Sequence, residues 1–161
     1  MTTTEHADSP RGEHTPTGPV IFAYDGSELA KLAIDEAARQ LAPGRDALVL
    51  TVWQPFDVGF VAAVVLPINA AQIQDVKNAA QQTAEEGASL ANAAGFNARG
   101  LEAEATPTWK AIVDFADEHD ASLIVLGSHG RTGLGGVLLG SVAEAVAAHS
   151  RRSVLISHRR G

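Results

Sequence analysis

The stretch LIVLGSHGRTGLGGVLLGSVAEAV, residues 123–146, carries six glycines between an apolar run and a helix-like run. Its skeleton is Gly127, two residues, Gly130, nine residues, then Gly140 and Ser141. Glycine weakens regular elements, so such a cluster suits a place where backbone must approach something closely. Between a strand and a helix, it can offer backbone N–H groups and the positive end of a helix dipole to an anion. His129 and Arg131 are polar side chains within this stretch, and Ser141 adds a hydroxyl at the helix start. The competing readings are a solvated histidine and arginine and an ordinary N-cap serine. Asp25, in YDGSE after the first apolar run, can accept hydrogen bonds, and it or Ser27 can cap the helix that follows.

Familiar phosphate templates fail by position. A Walker loop needs a lysine after its last glycine. Gly135 to Gly140 has the spacing, but Ser141 follows, and no lysine occurs after Lys110. The dinucleotide pattern G-x-G-x-x-G fits Gly133 and Gly135, but Leu138 stands at the third glycine. With no cysteine in the chain, disulfides, thiolate metal sites and thiol nucleophiles are excluded. The six histidines show no metal-ligand spacing, and no G-x-S-x-G elbow exists. Asp117 to Asp120, DEHD, reads as a solvated helix end rather than a catalytic or metal cluster. No residue is therefore assigned a catalytic or metal-binding role. A net charge of -7 argues against nucleic-acid or anionic-membrane partners.

The loop and Asp25 need a scaffold that brings them together. Val20 to Tyr24 is an unbroken apolar run, as expected of a strand buried on both faces. Leu29, Leu32 or Ala33, Ala37 and Leu41 then recur at helical spacing. Ala47 to Trp53 reads as a second strand. The apolar loop 54–70 has no assigned role. Residues 71–95 read as a long helix closing at Gly95. FNARGLEAEA reads as a third strand. Next comes a helix with Thr106 as N-cap and Pro107 first inside it, its buried stripe being Trp109, Ile112, Val113 and Ala116. SLIVLG, SVAEAVAAHS and RSVLISH complete a β-α-β-α-β-α-β-α-β order. This predicts an α/β fold, an open parallel sheet with helices on both faces, with ligands outside the carboxyl ends of the strands where the order reverses.

At 161 residues and 45% hydrophobic, the chain suits one domain. Residues 1–18 are expected to be a disordered polar tail and 19–161 a single domain. The beginning lacks a basic region followed by an apolar core. The weakly polar run 58–71 is too short for a membrane span. A cytoplasmic location without membrane attachment is expected.

The spacing Gly127-x-x-Gly130, nine residues, Gly140-Ser141 resembles the nucleotide-binding motif of the universal stress protein family. GSHGRTG and LLGSVAE are similar to its ATP-binding members, and the resemblance runs from about Pro19 to His158. It implies a five-stranded parallel sheet in the order 3-2-1-4-5, akin to the adenine nucleotide alpha hydrolases. It implies that Ala23, Tyr24 and Asp25 contact adenine and ribose, with Val52 beside the base. It also implies that Leu126, Gly127, Gly130 and Arg131 approach ribose and phosphates, and that Gly140, Ser141 and Val142 bind phosphates. The implied ligand is ATP with Mg2+, held by a nucleotide-sensing regulatory module rather than turned over. A slow ATPase or phosphotransferase, or a binder of AMP or cyclic AMP, is the alternative. The last strand would be an edge, and similar proteins dimerise through it, so a homodimer centred on Val154, Leu155 and Ile156 is expected. Ser122 departs from a frequent aspartate of the family, and Thr106 and Ser153 depart at two turns.

Overall fold

Val20–Ala23 has room for apolar side chains only, because both of its faces are covered. Val20, Ile21 and Phe22 are all buried in the computed structural model, which describes residues 18–55, 69–130 and 139–158. This strand, β1, is followed by α1 (Glu28–Gln40), β2 (Asp46–Trp53), α2 (Ala70–Ala93), β3 (Asn97–Glu104), α3 (Thr108–Glu118), β4 (Leu123–Gly127), α4 (Ser141–His149) and β5 (Ser153–Ser157). The strands form one parallel sheet in the order β3-β2-β1-β4-β5. That is the expected architecture and strand order. The expected tail, residues 131–138 of the glycine stretch, and most of the loop 54–70 lie outside the described residues. No helix among the described residues is long and apolar enough to cross a membrane.

Alternation along each strand divides the interior in two. Val20, Phe22, Val49 and Val125 point to the layer of α1 and α2. Ile21, Leu48, Leu50, Ile124 and Leu126 point to the layer of α3 and α4. The first layer packs closely because its helices face the sheet with small residues. In α1 the buried face is Ala30, Ala33, Ile34 and Ala37. Of the expected stripe, Ala33 and Ala37 are buried and Leu41 packs on the core half-buried, while Leu29 is half-buried and Leu32, the alternative to Ala33, is exposed. A sheet already filled by branched side chains leaves depth for alanine, not for a second row of leucines. In α2, Ala80, Ala84, Gly87, Ala88 and Ala91 do the same. Phe22 and Phe96 meet edge-on at 5.1 Å between ring centres.

The helix ends follow from local chemistry, with two corrections. Asn69 and Gln72 form a reciprocal capping box at the start of α2. α3 begins one residue later than expected. Pro107 is its N-cap in extended conformation, ψ 153, and Thr106 makes no cap bond. Proline at that position offers the first turn no side-chain acceptor. The acidic end of α3 is also not merely solvated. Arg152, just before β5, donates from Nε to Asp117 Oδ1 at 2.8 Å, from Nη2 to Asp120 Oδ1 at 3.2 Å and from Nη1 to the Ala121 carbonyl. Trp109 of α3 stacks on His149 of α4 at 4.5 Å, fastening these two helices together.

Candidate functional site

The chain reverses its direction of travel through the sheet between β1 and β4, so their carboxyl ends leave a crevice there. At the end of β1, Tyr24 still pairs with the sheet, its N–H donating to the Leu50 carbonyl at 2.9 Å. The buried Thr51 hydroxyl donates to the Tyr24 carbonyl at 2.9 Å. Gly26 then turns the chain with φ +80, a conformation costly for any other residue. Two side chains shape the start of α1. Ser27 Oγ accepts from the Ala30 N–H and caps α1, while Asp25 Oδ1 accepts from the Ser27 N–H at 3.0 Å. The carboxylate of Asp25 is thereby held at the mouth of the crevice.

The other wall comes from β4. The Ser128 N–H donates to the Ser157 carbonyl at 2.8 Å, extending the pairing with β5. The Ser128 carbonyl in turn accepts from the Gly140 N–H at 2.8 Å, which docks the start of α4 beside the end of β4. Gly140 is the N-cap of α4 and Ser141 its first residue, with no side-chain cap. The serine is therefore not the N-cap. Among the described residues no acceptor is bonded to the N–H groups of Ser141, Val142 and Ala143. These groups carry the positive end of the helix.

The crevice is a cavity of about 460 Å³. Of the sequence-derived residues, Ala23, Tyr24, Asp25, Val52, Leu126, Gly127, Gly130, Gly140, Ser141 and Val142 all line it. Arg131 lies outside the described residues. The cavity has two unlike halves. Ala23, Leu50, Val52, Ile112 and Leu126 belong to or pack on the apolar layer under α3 and α4. Asp25, Gly127 to Gly130 and the start of α4 make the polar half. Asp25 is the one Asp, Glu, Lys or Arg among the described lining residues. No group of three or more metal-ligating side chains occurs among the described residues.

The glycines have steric reasons. A Cβ on Gly127 would stand 2.8 Å from Leu29 Cβ, and one on Gly130 would stand 2.7 Å from Asp25 Oδ2. A Cβ on Gly140 would stand 3.1 Å from the Ser128 carbonyl oxygen. Tyr24 joins the site through its backbone. Its ring lies in the opposite layer against Gly87, and its hydroxyl donates to Glu86 Oε1 at 3.1 Å. Burial, then the hydrogen bond to Glu86, pushes the Tyr24 phenol well above its ordinary range and keeps it a neutral donor.

Sequence reasoning missed the third wall. Thr108 and Ile112 of α3 line the cavity. Their spacing of four residues marks one helix face, but nothing in the sequence says that this face ends at the crevice. Ser128 was passed over between two glycines of the motif; it is buried, at 2% exposure, and its Oγ lies 3.1 Å from His129 Nδ1.

Comparison with known proteins bears on the family and the fold. Residues 17–158 match the universal stress protein family. A universal stress protein of Mycobacterium tuberculosis is 28% identical over 145 residues, covering 86% of this chain and 94% of the relative. A universal stress protein solved in complex with cAMP superposes with a TM-score of 0.58 at 26% identity, covering 91% of this chain and 100% of the other. One from Archaeoglobus fulgidus, solved in complex with dAMP, superposes with a TM-score of 0.58 at 23% identity, covering 88% and 98%. The chain belongs to the universal stress protein family.

Proposed function

We propose that this chain is a nucleotide-sensing regulatory module that binds ATP, with Mg2+, in the crevice between β1 and β4. The observation that carries this reading is the division of one cavity into an apolar slot and an uncapped helix N-terminus. The slot under Val52, Ile112 and Leu126 suits a purine ring. The N–H groups of Ser141 to Ala143 suit a phosphate, and Asp25 suits ribose hydroxyls or the adenine amino group. The cradle fits such a group, because side chains at Gly130 and Gly140 would occupy the space it needs. Magnesium would be carried by the phosphates and would neutralise part of their charge.

A second reading, a binder of cyclic AMP or AMP, is favoured by two observations. A similar family member was solved with cAMP, and the described lining holds no lysine or arginine to meet a long phosphate chain. Calorimetric titration with ATP, ADP, AMP and cAMP, with and without Mg2+, separates the two. Tightest binding of Mg-ATP supports the first reading, and tightest binding of a monophosphate supports the second. Absence of heat from all four at millimolar concentrations refutes both. The same titrations, followed for released phosphate, decide whether turnover accompanies binding.

We infer that a second copy pairs along β5. It is an outer strand of the sheet, and Val154, Leu155 and Ile156 are only half-buried on it. An apolar outer strand invites such pairing. A sedimenting species of one chain's mass at every concentration refutes this.

A further inference from the structure

We propose that His129 is a proton-linked phosphate contact, so that nucleotide affinity in this crevice rises as the pH falls. The inference rests on the adenine-nucleotide reading of the site and adds its regulation. Three observations place the ring. His129 lines the cavity. Its Nδ1 lies 3.1 Å from the hydroxyl of the buried Ser128. Its Cδ2, the carbon next to Nε2, lies 3.7 Å from where a Gly140 Cβ would stand. One edge of the imidazole is thus held by Ser128, and the other is turned to the start of α4. That is where the unbonded N–H groups of Ser141, Val142 and Ala143 collect.

The Ser128 hydroxyl can donate to Nδ1 or accept from it, so a phosphate oxygen at Nε2 selects the tautomer. In the neutral ring beside a phosphate, the hydroxyl donates to Nδ1 and the ring proton sits on Nε2. In the charged ring, Nδ1–H donates to Ser128 Oγ and Nε2–H still donates. Nε2 therefore presents a donor to a phosphate oxygen in both states, and protonation adds a charge to that same hydrogen bond. Ser128 is a positioning residue in this scheme. Histidine is the side chain whose ordinary titration falls between pH 5 and 8. Binding a phosphate then takes up a proton, and affinity is lost as pH rises. The charged or titratable groups on the surrounding elements are Asp25 after β1, Glu28 in the first turn of α1, Glu144 in the first turn of α4 and His158 after β5. Arg131 follows Gly130 in the sequence.

Cyclic AMP is the clean probe, because its phosphodiester has no second ionisation, unlike a terminal phosphate with its second pKa near about 6. Wild type and His129→Gln are titrated with cAMP and with ATP from about pH 5.5 to about pH 8.5, in buffers of differing ionisation enthalpy. Wild type should weaken about tenfold for cAMP across this range, the size of the charge assistance lost from one hydrogen bond, with proton uptake on binding at low pH. His129→Gln keeps a donor but no titration, and should be flat for cAMP. Ser128→Ala should give a shallower slope than wild type. Equal slopes in wild type and His129→Gln, with either nucleotide, overturn the proposal while leaving nucleotide binding intact. So does a flat wild-type profile for cAMP without proton uptake. If neither nucleotide binds at any pH, the reading of the site itself falls, and this inference with it.

Discussion

Replacing Gly127 by alanine tests whether the first helix and the fourth strand meet as closely as the site requires. The added Cβ would stand 2.8 Å from Leu29 Cβ, 2.9 Å from its carbonyl carbon and 3.1 Å from its oxygen. All three are shorter than the 3.4–4 Å of ordinary contact. None is the far end of a flexible side chain, so α1 itself must retreat. Overpacking of this kind costs about 1–3 kcal/mol, which lowers the melting temperature of a chain this size by roughly 2–12 °C. Because α1 begins at the Asp25-Gly26-Ser27 turn, its retreat also moves the carboxylate at the mouth of the crevice. Gly130→Ala is the matched control. Its Cβ meets only Asp25 Oδ2, at 2.7 Å, and that oxygen can swing away. Its stability should stay within about 0.5 kcal/mol of wild type. Thermal melts and chemical denaturation with unchanged slope read both variants. A Gly127→Ala protein as stable as wild type would refute the close approach and the geometry built on it.

Gly140→Val should leave the fold intact but weaken nucleotide binding by more than about tenfold, since a branched side chain would fill the space beside the Ser128 carbonyl; calorimetry checks it. Tyr24 is the only tyrosine in the chain, so tyrosinate absorbance reads it alone. Its phenol titrates higher in the folded protein than in the unfolded chain. The stability this confers is full below about pH 10 and is lost as pH rises beyond it. Absorbance should therefore rise only together with alkaline unfolding, and Tyr24→Phe should lose stability less steeply there; a phenolate signal from folded protein near its ordinary range contradicts this. Arg152→Ala should cost about 1 kcal/mol, a loss that shrinks in high salt, because its partly exposed ion pairs to Asp117 and Asp120 are screened. Urea melts at low and high salt measure it.

The fold was legible because the strands are mostly apolar runs and the helices between them carry helical spacing. Strand order entered through the resemblance carried by three glycines, not through the strands themselves. Where the reading missed, geometry outside the local sequence decided. Leu32 and Ala33 both have the helical spacing of a core residue, and α1 buries Ala33, with Ala30 and Ala37, because the side chains of β1 and β4 already fill the layer. Thr106 has the chemistry of a cap, yet the helix starts after Pro107. DEHD reads as solvated until Arg152, some thirty residues on, folds back to it. In the site, the strand ends and motif glycines could be named in advance. The wall formed by Thr108 and Ile112 could not, since it depends on how α3 crosses the sheet.

The hydrogen bond from the Gly140 N–H to the Ser128 carbonyl has a topological consequence. It ties the two ends of residues 129–139 together and turns that span into a ring closed at its base. The start of α4 is thereby anchored at the end of β4. Lengthening a closed loop costs little, about 0.6 kcal/mol for each doubling. This makes the ring a graft point, where a reporter peptide could be spliced in beside the crevice while the Ser128–Gly140 clasp keeps the start of α4 in register.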